Sequence, residues 1–138
     1  MQAIFFSSVE MQMLWWSVVL GLAQLVLVTV LANRDRGVAY NIGPRDEPGP
    51  PVSRLTARLH RALRNFQETF PFFAVGVLMV IGLHRSTPLS ELGAQLYFWG
   101  RVAYVPSYAL GVTYLRTGCW TVSAIGLVMV LLTVWPGI

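Results

Sequence analysis

Four long apolar runs divide this chain, and they constrain its fold more than any other feature of the sequence. They cover residues 11–32, 55–83, 92–115 and 119–135. A helix of about 20 apolar residues crosses the roughly 30 Å hydrocarbon layer of a membrane. Only 12% of the residues are charged, against about 25% in a soluble domain. The sequence therefore predicts an all-α membrane protein with one domain over residues 1–138, built as a four-transmembrane-helix bundle.

The only long hydrophilic segment, residues 33–54, lies between the first and second apolar runs. Its proline- and glycine-rich centre, residues 43–51, cannot continue a helix. The segment is rich in arginine, and basic loops beside membrane spans face the cytoplasm. We therefore predict a cytoplasmic loop at residues 33–54 and both chain termini on the non-cytoplasmic side. In a bacterial cell this membrane would be the inner membrane.

The net charge of +4 is better explained by orientation in the bilayer than by nucleic-acid binding. Most of the arginines lie in or beside one hydrophilic segment next to membrane spans, so we predict membrane lipids and no nucleic acid as partners. Cys119 is the only cysteine, which rules out a disulfide within the chain. His60 and His84 stand alone in the sequence, and we predict no metal site.

Strongly polar residues enter the second predicted helix on one face. At about 100° per residue, Arg61, Arg64, Asn65 and Glu68 fall within about 100° of arc. Ionised groups at membrane depth are costly unless they are paired, so this face is a candidate functional site. A helix end whose arginines reach back to the interface would account for Arg61. It does not account for Glu68, which lies about ten residues, or roughly 15 Å, beyond Arg58.

The third predicted helix carries a second polar face. Tyr97, Arg101, Tyr104 and Tyr108 follow helical spacing within an otherwise apolar run. Glu68 and Arg101 both lie roughly 20 Å from the cytoplasmic ends of their helices. We therefore expect Glu68 and Arg101 to pair, either directly or through a bound polar ligand.

Together the two faces predict a polar cleft that opens to the cytoplasm and carries more positive than negative charge. Its predicted lining consists of Arg61, Arg64, Asn65, Glu68, Arg101, Tyr104 and Tyr108. Guanidinium groups bind carboxylates in fork geometry, and a carboxylate such as that of Glu68 accepts hydrogen bonds from an ammonium group. A small zwitterionic peptide with a carboxylate at each end would match this cleft.

Residues 61–71 read RALRNFQETFP and resemble the signature of the MAPEG family, the membrane-associated proteins of eicosanoid and glutathione metabolism. The signature is Arg-Ala-x-x-Asn-x-x-Glu-x-x-Pro, which this chain matches at Ala62, Asn65, Glu68 and Pro71. The size, the four apolar runs and the long first cytoplasmic loop also match. The resemblance therefore covers essentially the whole chain.

The resemblance implies a homotrimer that binds glutathione between neighbouring subunits near the cytoplasmic side. It implies that Arg64, Asn65 and Glu68 on the second helix are glutathione ligands. Arg101 and Tyr108 match an arginine and a tyrosine of the family's third helix.

Three further positions carry less specific matches to the family. Arg116 matches an arginine that supports the thiolate of glutathione, although Thr117 is an equally good alignment. Arg34 is a candidate contact for a glutathione carboxylate. Tyr104 stands where some members have histidine, and this departure argues against a prostaglandin-synthase-like specificity.

The resemblance implies a membrane glutathione transferase or peroxidase. In this interpretation Arg101 or Arg116 favours the thiolate and Tyr108 donates a hydrogen bond to the sulfur. The thiolate then attacks a lipophilic electrophile or hydroperoxide that arrives through the bilayer. The alternative within the family is a lipid-binding or scaffold protein without catalysis. A small transporter or an unrelated structural bundle are further alternatives.

Overall fold

The computed structural model describes residues 7–137, and these residues form α-helices and no β-strand. The helices, numbered here along the chain, are α1 (Val9–Arg36), α2 (Val38–Ile42), α3 (Arg54–Gly82), α4 (Pro88–Ala109) and α5 (Thr113–Thr133). The predicted all-α fold is confirmed. The predicted placement of both termini concerns residues 1–6 and 138, which lie outside the described residues.

Within the described part of the chain, three helices are long and apolar enough to cross a membrane, namely α1, α3 and α5. The predicted membrane class is confirmed by these helices. The third predicted span corresponds to α4, which has 22 residues but is not among the three. Polar side chains such as Glu91, Gln95 and Arg101 lower its mean hydropathy.

Helix α4 ends at Ala109, six residues before the predicted boundary at residue 115. Gly111 adopts a left-handed backbone conformation with φ of 73°. Its N–H donates to the Tyr108 carbonyl at 3.0 Å, and the Val112 N–H donates to the Ser107 carbonyl at 3.1 Å. This pair of hydrogen bonds is the Schellman motif, which closes a helix end and favours glycine at the left-handed position. The apolar run continues past this turn, so hydropathy alone misplaced the helix end.

The connection between the last two helices therefore lies at residues 110–112, and α5 begins at residue 113 rather than 119. Arg116, which the apolar runs 92–115 and 119–135 place between the third and fourth predicted spans, lies instead in the first turn of α5. This difference moves the arginine onto a regular helix whose face is fixed by packing.

Helix α1 continues four residues into the predicted loop at residues 33–54 and ends before Gly37, which has φ of 87°. The proline-rich part, residues 43–53, is not helical, as predicted. The Asp35 carboxylate accepts hydrogen bonds from the Ser53 N–H at 2.9 Å and the Thr56 hydroxyl at 2.6 Å. These bonds attach the end of α1 to the start of α3.

Two apolar clusters hold the helices together, one toward each end of the bundle. The first, which we call the outer core, contains Leu14, Phe73, Val77, Val80, Ala94, Tyr97, Val130 and Val134. The second, the inner core, contains Val28, Leu59 and Leu63, with Val105 and Ala109 packed against them. In both α1 and α4, the residues with lower numbers belong to the outer core and those with higher numbers belong to the inner core. These two helices therefore run in the same direction, and α3 runs opposite to both.

Glycines allow α4 and α5 to pack with their backbones close together. A Cβ atom added at Gly93 would lie 2.7 Å from the Gly126 carbonyl oxygen, and one added at Gly100 would lie 3.0 Å from the Cys119 carbonyl oxygen. A Cβ atom at Gly126 would lie 2.6 Å from the Tyr97 nitrogen. Small residues at helix crossings are the usual means of close packing in membrane proteins.

Near the opposite end from the loop, a buried acid joins α1 to the turn between α3 and α4. Glu10 is fully buried, and its Oε1 atom accepts hydrogen bonds from the hydroxyls of Ser86 at 2.7 Å and Ser90 at 2.5 Å. No local pattern indicates this contact, because the partners are separated by more than 70 residues in the chain.

We predict that Gly126→Ala destabilises the protein by about 1–3 kcal/mol, because the added methyl group meets backbone atoms that cannot move aside. The control is Gly118→Ala in the same helix, where nothing lies within 4 Å of an added Cβ. Alanine favours helix over glycine by roughly 1 kcal/mol, so this control should be neutral or stabilising. Thermal unfolding in detergent measures both. Equal melting temperatures for the two variants would contradict the close α4–α5 packing.

Candidate functional site

The side chain of Arg101 lies at the centre of the contact between α3 and α4. It is only 1% exposed, and its Nη1 atom donates a hydrogen bond to the Asn65 side-chain oxygen at 2.6 Å. The guanidinium carbon lies 5.6 Å from the ring centre of Tyr97 and 5.3 Å from that of Tyr104. Aromatic faces attract cations at such distances. The buried charge therefore has one hydrogen-bonded partner and two aromatic neighbours.

Glu68 does not form the direct pair with Arg101 that depth in the membrane predicted. The guanidinium donates to Asn65 instead, and its remaining two nitrogen atoms have no hydrogen-bond partner. Glu68 is exposed on the outside of the single chain and interacts with Arg101 only at longer range. The rotation of α3 turns Asn65 toward Arg101, whereas Glu68, three residues further along the helix, faces outward. Pairing through a bound ligand stays a prediction.

A cavity of about 380 Å³ lies between α3, α4 and α5, next to the Arg101 contact. We call it the tyrosine cavity, and it is lined by Asn65, Tyr104, Tyr108, Arg116, Thr117 and Trp120. Arg116 and Thr117 both line it, so each of the two alternative alignments brings a residue to the cavity. Arg101 is not part of this lining, but its guanidinium carbon lies 5.3 Å from the ring centre of Tyr104, which is part of it.

Tyr108 is the point where three helices converge on the tyrosine cavity. Its hydroxyl accepts a hydrogen bond from Arg61 Nε at 3.1 Å, and the Arg116 guanidinium carbon lies 4.9 Å from its ring centre. The rings of Tyr104 and Tyr108 meet edge to face with centres 5.6 Å apart. Because the hydroxyl oxygen accepts from Arg61, its own proton remains available to an acceptor in the cavity.

A second cavity of about 500 Å³ lies between α1, the loop and α3. We call it the basic cavity, because no acidic residue lines it while several basic and amide side chains do: Asn33, Arg36, Asn41, Arg45, His60, Arg61 and Arg64. Leu25, Val28 and Leu63 form its apolar wall. Arg61 belongs to the basic cavity and also hydrogen-bonds to Tyr108, so it connects the two sites.

Two of the predicted ligands lie outside both cavities. Arg34 is exposed in the last turn of α1, and Glu68 is exposed on α3. Neither lines the tyrosine cavity or the basic cavity of the single chain. Six of the nine predicted site residues therefore line one of the two cavities, Arg101 hydrogen-bonds to Asn65 among them, and Arg34 and Glu68 lie on the outer surface.

Sequence reasoning missed Trp120, which lines the tyrosine cavity one helical turn after Arg116. The spacing of four residues would have placed both on one helix face. This signal was hidden because the last helix was expected to begin at residue 119. His60, Arg36 and Arg45 were also missed, because their approach depends on the fold of the loop.

Apolar helices of spanning length, a buried arginine and cavities lined by tyrosine and arginine define a helical integral membrane protein with a polar internal site. The sequence profile of the MAPEG family matches residues 13–135, which is nearly the whole chain, and the protein belongs to that family. Membership makes it a membrane protein of eicosanoid and glutathione metabolism. A search of curated proteins finds no significant match.

We predict that Asn65→Leu destabilises the protein by about 2 kcal/mol, because it leaves the buried Arg101 without its hydrogen-bond acceptor. The control is Gln67→Leu, a change at an exposed position of the same helix, which should have little effect. Thermal unfolding in detergent compares the two. A control that destabilises as much as Asn65→Leu would show that any apolar change on α3 has this effect.

Proposed function

We propose that this protein is a membrane glutathione transferase or peroxidase that activates the glutathione thiol for attack on a lipophilic electrophile or hydroperoxide. The observation that carries the proposal is the environment of Tyr108, whose hydroxyl is hydrogen-bonded to Arg61 and whose ring faces Arg116. A tyrosine proton beside two guanidinium groups, in a cavity walled by aromatic side chains, suits a bound thiolate.

In this proposal α4 also crosses the membrane, as the third of four spans, with residues 33–54 in the cytoplasm and both termini on the other side. Its 22 residues extend roughly 33 Å, enough to cross the hydrocarbon layer. Its one cation, Arg101, is buried within the protein and not directed to lipid. Its low hydropathy is therefore compatible with a membrane position, because its polar side chain faces the bundle.

Assembly as a homotrimer is supported by polar side chains that the single chain leaves uncovered. Arg64 and Glu68 are exposed, although Glu68 lies roughly 21 Å along α3 from its cytoplasmic start. Charged groups in contact with lipid are costly, so they face protein or a polar cavity in membrane proteins. A neighbouring copy that covers this face of α3 would enclose both residues and complete a site between subunits.

In the proposed binding mode, each charged group of glutathione has a partner at this interface. Arg61 and Arg64 in the basic cavity bind a carboxylate, and Arg34 at the end of α1 binds the other carboxylate. Glu68 accepts from the ammonium group. Asn65 is held by Arg101 and offers its amide N–H groups to the peptide.

The chemistry of the site begins with the thiol, whose free pKa is about 8.5. A guanidinium beside the sulfur favours the thiolate, and Arg116 is the arginine in the tyrosine cavity that can supply this charge. Tyr108 donates its hydroxyl proton to the sulfur as a hydrogen bond. The sulfur then bonds to the electrophile, whose leaving group departs, while Trp120 and the other rings exclude water. The main contributions are positioning and electrostatic stabilisation.

We expect glutathione to stabilise the detergent-purified protein against thermal unfolding. At 100 times its dissociation constant a ligand of the folded state adds about 2.7 kcal/mol. Glu68→Gln should weaken glutathione binding, because the amide does not carry the charge that attracts the ammonium group. Glu91→Gln on α4 is the matched control and should bind normally. No stabilisation by glutathione would refute the proposal, and unchanged affinity of Glu68→Gln would remove Glu68 from the site.

A second prediction separates catalysis from binding. The wild-type protein with glutathione should show thiolate absorbance at neutral pH and should conjugate a model electrophile. Arg116→Gln should lower both by about tenfold or more, because it removes the charge that favours the thiolate. Arg54→Gln, at an exposed position at the start of α3, serves as the control. Glutathione binding without thiolate absorbance or conjugation would favour a non-catalytic binding or scaffold protein.

A further inference from the structure

Among the described residues, three buried side chains have an unpaired polar atom: Glu10 near the end of the bundle opposite the loop, and Gln24 and Arg101. The unpaired atoms of Gln24 and Arg101 are complementary. Arg101 has two donors, Nε and Nη2, that are buried without a partner. Gln24, which is 5% exposed, has an acceptor, Oε1, that is also buried without a partner. Its amide nitrogen donates to the Leu20 carbonyl of its own helix at 3.4 Å. Leaving such buried groups unpaired destabilises the folded protein, and more so when the group is charged.

The fold places these two side chains at the same level of the bundle. Val28 of α1 belongs to the inner core, against which Val105 of α4 packs. The two helices run in the same direction, and Gln24 and Arg101 each precede these valines by four residues, one helical turn. Each therefore lies on the same face as its valine and about 6 Å further toward the outer core. Both side chains are buried, so both point into the bundle.

The other neighbours of Arg101 leave its two donors free. Asn65 accepts from Nη1, and the guanidinium carbon lies 5.6 Å from the ring centre of Tyr97 and 5.3 Å from that of Tyr104, while Nε and Nη2 have no hydrogen-bond partner. The Tyr97 hydroxyl lies near but shares its hydrogen bond with Thr69 at 3.1 Å. At this level of α1, Gln24 is the buried residue whose acceptor atom is unpaired.

We propose that Gln24 is a positioning residue for Arg101, joined to it by a bridging water molecule. The water accepts from Arg101 and donates to Gln24 Oε1, because these atoms do not hydrogen-bond directly. A buried water with polar partners on two sides is a common structural element. Gln24 would hold the guanidinium that fixes Asn65, and would thereby adjust glutathione binding without touching the ligand. This last consequence rests on the proposed function.

A double-mutant cycle on thermal unfolding tests the contact independently of glutathione. Gln24→Leu should lower the melting temperature by about 5 °C. In an Arg101→Met background the same change should have little effect, because the donors are already gone. Gln95→Leu, at an exposed position of α4, is the control. Its small effect on the melting temperature should be the same in the wild-type protein and in the Arg101→Met variant. Losses from Gln24→Leu and Arg101→Met that simply add would overturn the proposal.

Gln24→Glu keeps the test decisive if Arg101→Met fails to fold. A carboxylate opposite the buried guanidinium should raise the melting temperature, whereas a buried carboxylate elsewhere in the bundle would lower it strongly. A lower melting temperature for Gln24→Glu would therefore overturn the proposal.

The effect of Gln24 on the glutathione site is tested by measuring glutathione affinity and the conjugation rate. Gln24→Leu should weaken glutathione binding several-fold while the rate of conjugation at saturating glutathione changes little, and Gln24→Glu should restore affinity. Unchanged affinity in Gln24→Leu would overturn the role in positioning. If the wild-type protein does not bind glutathione at all, the proposed function fails, and the stability measurements still decide whether Gln24 and Arg101 are coupled.

Discussion

The burial of the Arg101 guanidinium is the constraint on which the arrangement of the other helices depends. A cation at 1% exposure inside an apolar bundle is stable only with partners supplied by neighbouring helices. Asn65 of α3 supplies a hydrogen bond of 2.6 Å, and Tyr97 and Tyr104 supply aromatic faces. These contacts set the rotation of α3 relative to α4. They thereby decide which polar side chains enter the cavities and which remain outside.

Close packing of α4 against α5 completes the site from the other direction. Gly93 and Gly126 leave no space for a side chain between the two helices, so α5 lies directly against α4. This approach brings Arg116 onto the ring of Tyr108, while Arg61 reaches the same tyrosine from α3. The site therefore depends equally on a buried charge and on the absence of side chains at the helix crossing.

Local sequence signals predicted much of the fold but misplaced one turn. Hydropathy and helical spacing are properties of neighbouring residues, so the apolar runs and the two polar faces were visible directly. The end of α4 was missed because apolar residues continue through Gly111, whose left-handed conformation closes the helix. A glycine within an apolar run is compatible with a helix interior, a tight crossing or a helix end. In this chain Gly93 and Gly100 lie at a tight helix crossing, whereas Gly111 closes a helix end.

The sequence by itself determined the membrane class, the polar faces of α3 and α4 and, through residues 61–71, the family. Only the tertiary structure decided that Arg101 pairs with Asn65 and that Glu68 faces outward. The physical reason is geometric. Counting residues along a helix gives the depth of a side chain, because the rise per residue is constant. The rotation of one helix against another depends on the packing of all their contacts, which no single helix encodes.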